Sequence, residues 1–189
     1  MINNITKPLF ISFSAEVNQD TAENLMGVFA QRLNQGTKDF YLLLSSPGGN
    51  VINGVTIYNF LKSLPINLTT HNIGIVDSIA NVVFLAGKTR YAVKNSSFLF
   101  HGVGFDVNQA RFEEKNIKEQ LKTIQRDQKL VADIIAEQSQ YTKDEVEKMF
   151  LEADTKTPEQ AKEKGLVSDI IDVNIPEGAE VVQFVFQRK

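Results

Sequence analysis

Residues 68–87 set the strongest constraint on how this chain can fold. Residues 68–75 are dense in β-branched and apolar side chains, which favour a pleated, buried strand. Residues 79–86 are almost wholly apolar, too much so for an exposed loop, and are expected to form a buried helix. Both halves must be enclosed, so the rest of the chain has to build layers around a strand that runs straight into a helix. Gly74 can adopt backbone conformations closed to other residues, and Ser78 falls at the junction. The first N–H groups of a helix lack intrahelical partners, so a hydroxyl placed there stands beside donors able to bind an oxyanion. A lone serine at such a point more often just caps the helix. The G-x-S-x-G pattern of the strained turn that presents a nucleophile is absent.

Composition narrows the classes. A chain of 189 residues, 42% hydrophobic and 23% charged, fits a single domain over 1–189 with a substantial core. A formal net charge of −3 argues against a nucleic-acid-binding surface. The chain has no cysteine, which excludes disulfides, thiol catalysis and thiolate metal sites. No apolar run approaches the roughly 18 residues of a membrane span. With no signal-peptide pattern in the first 15 residues either, a cytoplasmic protein is expected.

Along the chain, residues 1–8 read as a loose arm and residues 9–13 as a strand. Asp20 and Glu23 have capping-box spacing ahead of Leu25, Met26, Phe29 and Leu33, which share one helical face. Residues 40–44 form a continuous apolar run, the pattern of a strand buried on both faces. The turn signal Ser45-Ser-Pro-Gly-Gly49 follows, then a helix marked by Val51, Val55, Tyr58 and residues 61–64. Short strands are expected at 91–93 and 97–101. A long amphipathic helix over about 109–139 would extend roughly 45 Å, more than one small domain can cover, which implies a partner subunit. Thr142-x-x-Glu145 opens a short helix to Phe150, and Thr157-Pro158 opens another that Gly165 closes. Residues 166–173 and 180–187 read as final strands, and the alternation predicts an α/β domain with a largely parallel sheet.

Further features bear on chemistry. The Gly48-Gly49 pair follows a buried strand, where backbone can approach a ligand and point N–H groups at it. His101 ends an apolar strand, so its ring emerges at the edge of a core. The only other histidine, His71, has polar neighbours and is expected to be exposed. Asp77 flanks Ser78, and Asp154 is expected in a loop between two short helices. Singly, each has an ordinary structural role; together, a glycine-pair turn, an elbow serine and a strand-end histidine point to acyl transfer.

Taken in order, Ser45-Ser-Pro-Gly-Gly49, Gly74-x-x-x-Ser78, Asn95-Ser96, Phe100-His101 and Thr157-Pro-Glu-Gln-Ala161-Lys-Glu-Lys-Gly165-Leu-Val resemble the Clp protease proteolytic subunit (ClpP) family over about residues 9–172. The resemblance implies a ClpP/crotonase fold of repeated β-β-α turns with a long handle helix at about 109–139. It implies a serine peptidase in which Ser78 attacks, His101 accepts its proton, and the backbone N–H groups of Gly49 and Ile79 form the oxyanion hole. An aspartate should orient the imidazole. An alignment without gaps sets Ala153 at that position, and Asp154 takes the role if the loop before Thr157 is one residue shorter. No metal or organic cofactor is implied. The implied partners are peptides or unfolded proteins and further copies of the chain, with no nucleic acid and no membrane. The family's ATPase unfoldase is disfavoured as a partner by the short arm ahead of the first strand.

In this family a small residue usually precedes the nucleophile, where this chain has Asp77, a carboxylate that would oppose a nearby oxyanion unless neutralised or turned away. The glycine-rich segment after the histidine is reduced to Gly102-Val-Gly-Phe-Asp. Asp77 and Ala153 favour an alternative, a catalytically weak ClpP-like subunit with an assembly role. A crotonase-type acyl-thioester enzyme and a serine–lysine peptidase are further alternatives.

Overall fold

A computed structural model describes residues 7–104, 111 and 113–184. The first strand, β1 (Leu9–Ser14), leads to helix α1 (Gln19–Asn34), whose capping box uses Asn18 and Thr21, not Asp20 and Glu23. The Asn18 side chain accepts from the Thr21 N–H at 3.0 Å and the Thr21 hydroxyl accepts from the Asn18 N–H at 2.9 Å. Strand β2 (Asp39–Ser46), helix α2 (Val51–Ser63) and strand β3 (Asn67–Asp77) follow as the apolar pattern requires. Gly74 lies inside β3 without a positive φ, so it does not make the turn expected of it. Helix α3 (Ala80–Phe84) is short and wholly buried. Strands β4 (Thr89–Ala92) and β5 (Ser97–Phe100) complete the first half.

Helix α4 (Glu114–Gln138) begins later than the sequence pattern implied, and residues 105–110 and 112 lie outside the described residues. Its 25 residues span roughly 37 Å. Val131, Ala132, Ile134 and Ile135 in its C-terminal half are buried, whereas Ile117 and Leu121 near its start stand exposed. After α5 (Lys143–Glu152), Asp154 opens a short strand, β6 (Asp154–Lys156), where a loop was expected. Helix α6 (Pro158–Glu163) has the expected threonine cap and first-turn proline. The last strands, β7 (Asp169–Ile170) and β8 (Val181–Gln183), are much shorter than their apolar runs. Residues 1–6 of the expected arm and 185–189 of the last run lie outside the described residues.

The strands form one sheet in the order β6-β5-β3-β2-β1-β8, with β4 beside β3 and β7 beside β4. Every pairing is parallel except β5 with β6. β3 is central: β2 runs along one edge, while β4 and then β5 share the other. Helices cover the sheet through aromatic contacts, with Phe29 stacked on Phe40 at 4.8 Å and Phe84 edge-on to Phe98 at 5.2 Å. Among the described residues no helix is long and apolar enough to cross a membrane.

His71 is fully buried, contrary to the expectation of exposure, because β3 is covered on both faces. Its Nε2 lies 3.1 Å from the Ile171 carbonyl, which can only accept, so Nε2 carries the proton and Nδ1 accepts from the Tyr41 hydroxyl at 2.8 Å. Burial lowers its pKa and favours the neutral ring. His71 is thus occupied as a core residue, and of the two histidines only His101 is available for chemistry.

The segment that places Asp154 is bracketed from both ends. Arg90 Nη2 donates to the carbonyls of Gln138 at 3.0 Å and Gly165 at 2.9 Å, joining the end of α4 to the end of the α6 region. Lys164 Nζ donates to Glu145 Oε1 at 2.5 Å, while Glu145 Oε2 accepts from the Thr142 N–H at 2.8 Å. These bonds, the lysine first, hold the Glu145 carboxyl down to about 2 from an ordinary 4.5. A carboxyl with a folded pKa below its unfolded value adds stability above the unfolded value and loses it as pH falls through the folded one. Glu145→Gln should therefore flatten the stability profile between about pH 4.5 and 2, measured by urea denaturation at stepped pH. Identical slopes for wild type and variant would refute this role.

Candidate active site

Strand β3 ends at Asp77, and the next residue, Ser78, has φ +55°. Among the described residues only Ser78 and Ala153 combine a side chain with a positive φ. Such a conformation costs on the order of 1–3 kcal/mol and persists only where the surroundings enforce it. Here the Ser78 N–H donates to the Leu99 carbonyl of β5 at 2.8 Å, and the Asn81 N–H donates back to the Ser78 carbonyl at 3.1 Å. The buried Asn81 side chain adds a double tie, its Nδ2 donating to Ser78 O at 3.0 Å and Leu99 O at 2.9 Å. Asn81 is the site residue that sequence reasoning missed; a lone asparagine inside an otherwise apolar buried helix was the available signal.

The glycine pair packs against this elbow. A Cβ on Gly48, which has φ +85°, would lie 2.6 Å from Asp77 O, 2.7 Å from Ser78 Cβ and 3.2 Å from Ile79 N. Gly49 sits in a parallel bridge with Val17 that uses the Gly48 carbonyl and the Asn50 N–H, each bond 2.7 Å long. In that ladder geometry Gly49's own N–H is directed away from Val17. The N–H of Ile79 belongs to the helix start, where no residue four positions back accepts it in the helix. A groove of 430 Å³ is lined by Gly49, Asn50, Ile52, Val103 and Gly104, among others.

His101 follows β5 directly and is exposed. Its Nδ1 lies 2.9 Å from the Gly102 carbonyl, which can only accept, so Nδ1 carries the proton and Nε2 presents a lone pair. Ser78 and His101 therefore issue from neighbouring strands, the serine bonded to a carbonyl two residues before the histidine.

The two aspartates lie on different faces of the sheet. Asp77 is in register with Leu99, and its Oδ1 accepts from the Leu99 N–H at 3.3 Å. Burial raises its pKa, against the lowering effect of that bond and of His101. Asp154 is paired with Phe100, and its carboxylate is bound by Lys156 Nζ at 2.6 Å. That face carries the buried Phe100 ring and Tyr141, whose hydroxyl is pushed up to about 12 by burial and then by Asp154. A 280 Å³ cavity there is lined by Tyr141, Glu145, Asp154, Lys156 and Lys164, among others, and not by Ser78 or His101. The structure thus brings Ser78, Gly49, Ile79 and His101 to one region and directs Asp154 to Lys156. No cluster of metal-ligating side chains occurs among the described residues.

The chain is similar to known proteins of one family. The Clp protease family model matches residues 1–174. The chain is 28% identical to the ATP-dependent Clp protease proteolytic subunit of Ligilactobacillus salivarius, across 88% of this chain and 85% of that one. It is 26% identical to proteolytic subunit 2 of the same protease from Corynebacterium efficiens, across 90% and 86%. In fold it is similar to a ClpP1 mutant from Listeria monocytogenes, with TM-score 0.76, 21% identity and coverage of 87% and 91%. The ClpP-like α/β fold expected from the sequence motifs is therefore the fold observed.

The contact of Gly48 with the elbow gives a direct test. Gly48→Ala forces a Cβ onto Ser78 at a positive φ, so the turn or the elbow must shift. A shift of that kind should lower labelling of Ser78 by a serine-directed fluorophosphonate on the order of a hundred-fold or more. Unchanged labelling would show that the glycine does not shape the site.

Proposed function

The chain belongs to the Clp protease family, whose members are serine peptidases, and on that basis we propose that it hydrolyses peptide bonds in peptides or unfolded proteins. Ser78 is the nucleophile and His101 the base. Ser78 Oγ adds to the carbonyl carbon as its proton passes to His101 Nε2, and the resulting oxyanion is received by the N–H groups of Gly49 and Ile79. His101 returns the proton to the leaving amine, and a water then releases the acyl group by the same steps in reverse order of roles. Asp154 is the sequence's candidate for the carboxylate that serves His101. The reading includes a homo-oligomer, supported by the exposed Ile117 and Leu121 near the start of α4, and the cytoplasmic location expected from the sequence.

The observation that carries this reading is the positive φ of Ser78, held between the Leu99 carbonyl and the glycine turn. A helix-capping serine needs no such strain, and the N-cap of α3 is Ile79, with no side-chain cap bond. A second reading, a catalytically weak assembly subunit, is favoured by one observation: the Asp154 carboxylate is engaged by Lys156.

Intact-mass spectrometry after fluorophosphonate treatment separates the two. A peptidase should acquire one adduct per chain, absent in Ser78→Ala and slowed on the order of a thousand-fold or more in His101→Ala. An unlabelled, assembled wild type would leave only the assembly reading, and full activity of His101→Ala would point to a lysine base.

A further inference from the structure

Strand register decides which carboxylate faces His101. Residues paired in a ladder project to the same side of a sheet, and residues two apart on a strand do so as well. Asp77 is paired with Leu99, and His101 stands two residues beyond Leu99. Asp77 and Leu99 therefore belong to one side, and the alternation of β5, continued one residue past its end at Phe100, sets His101 there too. Asp154 is paired with Phe100 and so belongs to the other, where Lys156, opposite Phe98, shares its side and binds its carboxylate. Continued by one residue, the β5–β6 ladder would set Ala153 opposite His101, and alanine has no carboxylate to offer.

Resting on the assignment of Ser78 and His101 above, we propose that the work of the third catalytic-site member is divided here. The Gly102 carbonyl fixes the His101 tautomer, and Asp77 supplies the negative charge that stabilises the imidazolium. The first half rests on the 2.9 Å approach of Nδ1 to that carbonyl, which leaves Nε2 free to take the serine proton. The second rests on the shared side; burial raises the Asp77 pKa, and the Leu99 N–H and then His101 act against it in favour of the carboxylate. Asp77 is a positioning residue: the proton moves from Ser78 Oγ to His101 Nε2, and the Asp77 carboxylate stays ionised. Its Leu99 N–H bond anchors one oxygen on β5.

The test is the rate of Ser78 phosphonylation by a fluorophosphonate, followed from about pH 5 to 9, in wild type, Asp77→Asn and Asp154→Asn. Asparagine keeps an acceptor for the Leu99 N–H, so the elbow survives in Asp77→Asn, and a circular dichroism spectrum and melting curve check this. Asp77→Asn should slow labelling on the order of ten- to a hundred-fold at neutral pH, less than loss of a full orienting carboxylate because the Gly102 contact remains. The acid limb of its profile should move to lower pH, since an imidazolium deprived of a carboxylate gives up its proton more readily. A purely structural aspartate would lower the rate without moving that limb. Asp154→Asn is the comparison: its loss should be the smaller of the two and its acid limb should stay in place.

A larger loss in Asp154→Asn than in Asp77→Asn would overturn the proposal. So would equal losses, a faster Asp77→Asn, or a slower Asp77→Asn with an unmoved acid limb. If folded, assembled wild type takes no label at any pH, the peptidase assignment itself fails and this inference with it, an outcome distinct from all the others.

Discussion

The hydrogen bond from the Ser78 N–H to the Leu99 carbonyl joins the fold to the candidate chemistry. It extends the β3–β5 ladder one step past the last paired residues, Asp77 and Leu99, and so reaches into the turn that presents the serine. A residue at φ +55° would relax if that turn were free. It is not free, because Asn81 ties both Ser78 and Leu99 from inside α3 and Gly48 leaves no room on the other side. The strain is therefore borne by a parallel sheet whose central strand is paired along both edges.

That pairing also distributes the ionisable groups. His71 lies on the same strand as the elbow, but both its nitrogens are used by Tyr41 and Ile171, and burial favours its neutral form. His101 stands where β5 ends, so its ring escapes the core that encloses Phe98 and Phe100. The alternation of side chains across β5 then assigns the two aspartates to opposite sides, Asp77 with His101 and Asp154 with Lys156. An aspartate beside the candidate nucleophile, which taken alone disfavours an oxyanion, lies on the same side of the sheet as Leu99, two residues before His101.

Helix α4 shows the same division between body and periphery. Its C-terminal half is packed by Val131, Ala132, Ile134 and Ile135, and its end is held by Arg90, while Ile117 and Leu121 stand exposed on the chain's own surface. An apolar pair four residues apart on an exposed helix is a surface that a further copy can bury, in line with the assembly proposed for this chain.

Local pattern and spacing were enough to read the strand–helix alternation, the buried run at 40–44 and the Thr142 and Thr157 caps, and to offer Ser78, His101 and the glycine turn as a candidate set. These depend on neighbours within a few residues, where propensity and capping chemistry act. The exposure assigned to His71 failed because polar neighbours in sequence say nothing of what covers a central strand. The strand proposed for residues 166–173 shrank to Asp169–Ile170 because strand length depends on the edge available for pairing, not on apolar content. Gly74 drew attention as the turn, yet Ser78 itself takes the left-handed backbone, enforced by Leu99, Asn81 and Gly48 from three separate segments. Which residue types are present for acyl transfer, and in what order, can be read from the linear chain. Which carboxylate shares a side with His101 is settled only on folding, because a single step in strand register reverses the direction of every side chain.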